Sequence, residues 1–293
     1  MNIEIEKLDE MMADYMKKIA NEGEKVLIRK VHSIFFKNIS STEFEGKLSG
    51  LDDDKRRRFI DACLFLEESK NIKTKYPVIK YLLLFISVET LIGENHKTFY
   101  EWIITKEDVK GKKKRDDRLS DLDIRNKEDF KDTINALFKI YREYYGVTES
   151  VRRFFINYSD LEDKKKIIRS FKRERKKLGE HVPVHECYID DNICYKHSDN
   201  KWNCYPSAKF GCPLEQNKEE KINEALGKTI SILYDLFRNQ VVHSGVRSNF
   251  VDNGSTLISD YNGKVVISIS FDELRDIIIR GIQKYYKTID GEE

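Results

Sequence analysis

Fifteen consecutive residues, Val78 to Ile92, present an apolar side chain on nearly every side of a helix, with Lys80 and Glu89 the only charges. A helix that is apolar all round has to be enclosed by something. Fifteen residues fall short of the roughly 20 that span a bilayer, so the enclosure is expected to be protein: the middle of a bundle or the contact between two copies. Pro77, directly before the stretch, suits a first helical turn. The rest of the chain offers material to surround it, since 4 prolines and 14 glycines in 293 residues leave helices few interruptions. Lysines and arginines number 53 against 51 acids, a net charge of +2, which excludes a general polyanion binder and makes any basic behaviour local. No run of eighteen apolar residues occurs, and the amphipathic, acidic N-terminus is unlike a secretory signal, so a cytoplasmic protein is expected.

Periodicity divides the chain into an N-terminal helical extension, residues 1–71, and a larger helical domain, 72–290, interrupted by a segment of different character at 181–215. In the extension, Leu8, Met11, Met12, Tyr15, Met16 and Ile19 mark one apolar stripe, and Phe59, Ile60, Cys63, Leu64 and Leu66 another. Cys63 reads as core. The charge-dense stretch 105–129, including the run Lys110 to Arg118, is expected to be an exposed connection. One long helix is expected from Phe130 to about Tyr158, a basic one from Asp163 to Leu178, and another from about Glu219 to Val242. Two short β runs, Thr256 to Ser259 and Lys264 to Ile269, flank Asn262-Gly263, a strong tight-turn signal. Ser270 and Glu273 then spell a capping box opening a last helix. The fold class expected is mainly α: a helical bundle with a small hairpin near the C-terminus and a Cys/His-rich insertion.

The most informative segment is Arg238-Asn239-Gln240-Val241-Val242-His243, at the end of an apolar-periodic helix. It sets an arginine, an asparagine and a histidine at a core-facing helix end, where unpaired charge is costly. Five residues of straight α-helix turn through about 500°, which leaves Arg238 and His243 about 140° apart around the axis and about 7.5 Å apart along it. They converge only if the helix ends near His243, as Gly245 suggests, or if a second copy supplies half of the site. A structural hydrogen-bonded pair is the alternative.

This segment resembles the R-x4-6-H signature of the HEPN superfamily, in which a polar residue, here Asn239, follows the arginine. The RN-x3-H-x-G pattern, the hairpin and the capped last helix are similar to its Apea-like branch, as is Leu82 to Leu91 (LLLFISVETL). The resemblance covers roughly 76–290, with 181–215 outside it. It implies a HEPN-like bundle and a metal-independent endoribonuclease working as a homodimer on RNA, in defence or stress response, with an antitoxin or regulatory protein among its partners. His243 would move the proton of the 2′-hydroxyl or of the leaving 5′-oxygen. Arg238 would hold the scissile phosphate, Asn239 would orient one of them, and Glu89 would pair with Arg238. The product would be a 2′,3′-cyclic phosphate. Some members of the superfamily are non-catalytic modules binding RNA, a nucleotide or a protein, and that alternative stands beside the first.

Two further clusters are candidates. Cys187, Cys194, Cys204 and Cys212 fall within 26 residues, with His181, His185 and His197 beside them. Their intervals are not those of a C-x2-C knuckle. A structural zinc on the four cysteines, with His185 and His197 as alternates, competes with disulfides and free thiols. Between Lys164 and Lys177 nine basic residues meet one acid. Lys164, Lys165, Arg169, Lys172, Arg173 and Lys176 are its candidate RNA contacts, against the alternative of a solvated helix face.

Overall fold

A computed structural model describes residues 23–71, 77–93, 99–120, 127–177, 180–187, 192–196, 202–203, 218–239, 251–252, 257–259, 264–267 and 269–289. The protein is mainly helical. Helices α1 (Glu24–Phe35), α2 (Ser41–Ser49) and α3 (Asp53–Asn71) precede the apolar helix α4 (Pro77–Ile92). Then come α5 (Phe99–Ile104), α6 (Lys112–Ser120), α7 (Lys127–Tyr145), α8 (Val147–Tyr158) and α9 (Leu161–Ser170). Helix α10 (Glu219–Tyr234) runs into a π-helical turn, Asp235–Asn239, and α11 (Phe271–Thr288) closes the body. No described helix is long and apolar enough to cross a membrane.

Helix α4 lies in the middle of this body, against α3, α8, α11 and the π turn. Leu84, Phe85 and Val88 belong to the main core, and Leu83 joins Phe65 of α3 in a second, smaller cluster. Its buried hydroxyls are satisfied: Ser87 donates to the Ala62 carbonyl at 2.6 Å and Tyr81 to the Ile269 carbonyl at 3.1 Å. Residues 24–71 share that core. Phe36, Phe44 and Phe59 pack with Tyr286 of α11, ring centroids 4.9–5.8 Å apart, and so tie the first described helices to the last. Cys63 is fully buried, and burial pushes its thiol up, away from the reactive thiolate form.

Four local readings need correction. The helix expected over 130–158 is two helices, broken at Gly146 in extended backbone (φ −67°, ψ 133°). A Cβ there would stand 2.5 Å from the Arg142 carbonyl oxygen, so only glycine allows this tight junction. The run at 110–118 is not an exposed loop. Lys112–Ser120 is helical, and Arg115, 3% exposed, donates to the Trp102 carbonyl and to Asp116 at 2.7 Å over the Trp102 ring. An indole face and a carbonyl replace the water the arginine gives up. The basic helix stops at Ser170 and the chain continues as strand. Arg169 and Arg173, Lys172 and Lys176, and Arg173 and Lys177 would repel at i, i+4 in a helix. Finally, the helix beginning at Glu219 keeps α geometry only to Tyr234.

The described strands are β1 (Phe171–Lys177), β2 (Glu180–Cys187), β3 (Asn192–Lys196), β4 (Trp202–Asn203), β5 (Val251–Asp252), β6 (Leu257–Ser259) and β7 (Lys264–Ile267). They pair antiparallel in the order β4-β3-β2-β1-β7-β6-β5. Strand β1 is paired on both sides, with Val184 opposite Arg173 on one and Val265 opposite it on the other. Two hydrogen-bonded neighbours decide its conformation over local propensity. The 181–215 segment therefore contains strand, where the sequence shows little periodicity. The connection Asp260 to Gly263 lies outside the described residues.

Helix α11 begins with the full capping box. The Ser270 hydroxyl accepts from the Glu273 backbone N–H at 3.2 Å, and the Ser270 N–H donates to the Glu273 carboxylate at 3.0 Å. The Lys166 ammonium, 2.6 Å away, together with the Ser270 N–H holds the Glu273 carboxyl at about 2, against an ordinary value of 4.5. A carboxyl with a depressed folded pKa stabilises above the unfolded value and loses that contribution as pH falls. Wild type should therefore lose thermal stability between pH 4.5 and about 2 more steeply than Glu273→Gln. Solvent screening at a half-exposed pair keeps the difference small. Parallel slopes in calorimetric melts across that range would remove Glu273 from the acid transition.

Candidate functional site

The centre of the site is a charge pair carried by the two most apolar stretches of the chain. Glu89 sits near the end of α4, and Arg238 stands on the π turn that α10 enters. Arg238 Nε donates to Glu89 Oε1 at 2.9 Å, across 149 residues of sequence. The side chains are 23% and 17% exposed, so the pair is largely withdrawn from water. Neighbouring apolar groups fix the turn: Leu236 and Phe237 are buried, and Phe237 stacks on Tyr81 at 4.7 Å and lies parallel to Phe85 at 6.0 Å. With those two anchored, Arg238 is left facing the α4 carboxylate.

Tyr234, four residues before Arg238, completes the group. Burial, the Glu89 charge and a hydrogen bond with Glu89 push its phenol above the ordinary value. It therefore stays a neutral hydroxyl beside the carboxylate. Sequence reading missed this residue, although the i, i+4 spacing to Arg238 signals it.

The π turn changes the geometry expected for Arg238 and His243. An offset of about 140° assumes unbroken α-helix from 238 to 243, and α geometry ends at Tyr234. A π turn inside an α-helix rotates the following residues relative to the preceding ones and often marks functional sites. Asn239 is the last residue of that turn; His243 and Gly245 lie outside the described residues.

The other candidates are distributed unevenly. Lys164 and Lys165 are buried, not presented to solvent. Lys164 Nζ donates to Asn223 Oδ1 at 2.8 Å and lies 3.6 Å from Glu219, while Lys165 pairs with Glu162 at 2.8 Å. Lys164 ties α9 to α10 and Lys165 pairs within α9, which corrects the reading of them as free phosphate contacts. Arg169 is exposed, and Lys172, Arg173 and Lys176 lie in β1. Cys187 and Cys194 fall on paired strands, with His185 the direct partner of Cys194. Cys204, Cys212 and His197 lie outside the described residues. No three His, Cys, Asp or Glu side chains gather as a metal site among those described. No family model, curated protein or solved structure matches the chain.

Removing one partner of a part-buried pair strands the other charge in a poorly solvated place. Glu89→Ala should lower unfolding stability by roughly 1–3 kcal/mol, and Glu89→Gln, which keeps an acceptor for Arg238, by less. Equal urea midpoints for both variants and wild type would show that Glu89 does not hold Arg238.

Proposed function

We propose that the chain is a HEPN-type, metal-independent endoribonuclease whose working residues are Arg238 and His243, in a homodimer that brings two such segments together. The observation that carries this reading is the Glu89–Arg238 pair on a π-helical turn. A guanidinium fixed by a carboxylate and partly open to solvent is preorganised to grip a phosphate oxygen. His243, four residues past Asn239 within the same motif, supplies an imidazole able to give or take a proton. In the reaction the 2′-oxygen attacks phosphorus as its proton leaves. The bond to the 5′-oxygen breaks and that oxygen takes up a proton, giving a 2′,3′-cyclic phosphate and a 5′-hydroxyl. His243 handles one of those protons, Arg238 stabilises the added negative charge, and Asn239 orients one of them.

The competing reading is a non-catalytic HEPN module binding RNA, a nucleotide or a protein. With a nucleotide or a protein as the ligand, it is favoured by the inward use of Lys164 and Lys165, which removes two cations from the proposed RNA surface. Cleavage of RNA in EDTA separates the two. Wild type should cut and leave cyclic-phosphate ends, while His243→Ala and Arg238→Ala should each lose about 10²-fold or more. Binding without cleavage by wild type establishes the module instead, and equal cleavage by His243→Ala removes His243 as catalyst.

The Cys/His segment fits a structural zinc in the same reading. Cross-strand partners share a sheet face, as do residues two apart on one strand. His185 and Cys194 are register partners on β2 and β3, Cys187 stands two residues along β2, and Cys204 follows β4 directly in sequence. Freshly purified protein should carry close to one zinc per chain, and less than about 0.2 would rule the metal out.

A further inference from the structure

We propose that the apolar stripe of the N-terminal segment docks into a tyrosine-lined cleft of its own chain, beside the end of α4. The cleft, about 530 Å³, is walled by Ile92, the last residue of α4, by the ends of α7 and α11, by one face of α8 and by the 107–110 connection. Four tyrosines line it: Tyr144, Tyr145, Tyr158 and Tyr285. Tyr158 meets Tyr285 edge to face at 5.4 Å, and Arg153 donates Nη2 to the Tyr144 carbonyl at 2.7 Å, so contacts of the body itself hold the aromatic walls. Neither Glu89 nor Arg238 lines the cleft. The proposal therefore rests on no part of the nuclease reading.

Residues 1–22 lie outside the described residues, and their sequence matches the cleft in three ways. Leu8, Met11, Met12, Tyr15, Met16 and Ile19 fall on one side of a helix. A helix of about 12 residues is marginal in water by itself, so this stripe needs an apolar surface to form against. All four methionines of the protein, Met1, Met11, Met12 and Met16, belong to the segment. Methionine fills irregular gaps and its sulfur makes favourable contacts with aromatic rings, which the tyrosine walls supply. The charges match as well. At about 100° per residue, Lys7 and Lys18 border the stripe on one side and Asp9 on the other. The cleft rim likewise carries both signs, Glu107 and Asp108 against Lys110, all exposed.

The segment joins the described body at the same end. Glu24, next to Gly23, pairs with Arg56 at the start of α3. Arg58, two residues on, reaches Gly93, where a Cβ would stand 4.0 Å from its Nη1, and Gly93 directly follows the Ile92 wall. Residues two apart point about 200° apart around a helix, so Glu24 and Gly93 flank α3 on opposite sides, about 10–12 Å apart plus side-chain reach. A helix from Leu8 to Ile19 extends about 18 Å. The stretch from there to Gly23 adds up to about 13 Å. Together they pass α3 and lie along the cleft.

Because every methionine lies in this segment, photo-methionine incorporated into the full chain places a cross-linker there alone. Irradiation, digestion and mass spectrometry should join the segment to peptides carrying Tyr144 and Tyr145, Tyr158 or Tyr285. Asn157→Trp, an exposed substitution that fills the cleft, and Tyr15→Asp, which sets a carboxylate in the stripe, should each lower that yield at least about fivefold. Glu10→Lys, on the opposite side of the helix, should leave it unchanged. If Asn157→Trp does not fold, Tyr15→Asp alone decides. Mixing isotopically heavy and light chains separates docking within one chain from docking onto a second copy. The proposal is overturned by cross-links confined to other surfaces, such as the exposed Phe130 and Phe138 of α7, or by the absence of cross-links. Cross-links formed between heavy and light chains alone, or folded variants that cross-link as wild type does, overturn it equally.

Discussion

A helix with no polar face is stable in water only when other elements cover it on every side, and in this protein that requirement organises everything around α4. Helix α3 covers one flank, α8 and α11 others, and the π turn after α10 closes against it. Because α4 is enclosed, its one acidic side chain near the end, Glu89, cannot rely on water for its charge. It needs a cation delivered by a neighbouring element, and Arg238 is that cation. The candidate site thus follows from the burial problem: apolar enclosure brings the partner close, and weak solvation makes the pair worth forming.

The π turn has the same origin. Phe237 has to reach Tyr81 and Phe85 on α4, and Arg238 has to reach Glu89 on the same helix. Both contacts are made from adjacent positions of the π turn. Similar close fitting recurs at the far end of the body, where Gly281 of α11 lies against Phe154: a Cβ there would come within 2.8 Å of the ring. Helix α11 is also held by charge. Arg280 forms a forked pair with Asp163 at 2.9 and 2.7 Å, and Arg275 reaches the Leu66 carbonyl and Glu67. These contacts join residues far apart in sequence, and they set the C-terminal helix relative to α3 and α9.

Much of this was legible in the order of residues, though unevenly. The enclosure of α4 follows from its lack of a polar side, and the capping box at Ser270 from a four-residue spelling. The Glu89–Arg238 pair was expected only as what the HEPN resemblance implies. Other features were hidden because their causes are not local. Lys164 and Lys165 look like surface cations until Asn223, Glu219 and Glu162 are seen around them. Arg115 sits in a run of charges and is nevertheless buried, because Trp102 offers it a ring and a carbonyl.

What the sequence by itself determined is therefore the class of fold and the existence of an apolar centre: helical periodicity, scarce proline and glycine, and one helix that solvent cannot accommodate. It also marked Arg238 as a charge at a core-facing helix end that has to be paired. Only the tertiary structure decided that Phe171–Lys177 is strand, that α10 ends in a π turn, and which cations face inward. The physical reason is common to all three. Hydrogen-bonding partners, ring faces and counter-charges at long sequence separation outweigh local preferences of about 1 kcal/mol or less per residue, and those partners exist only once the chain has folded around α4.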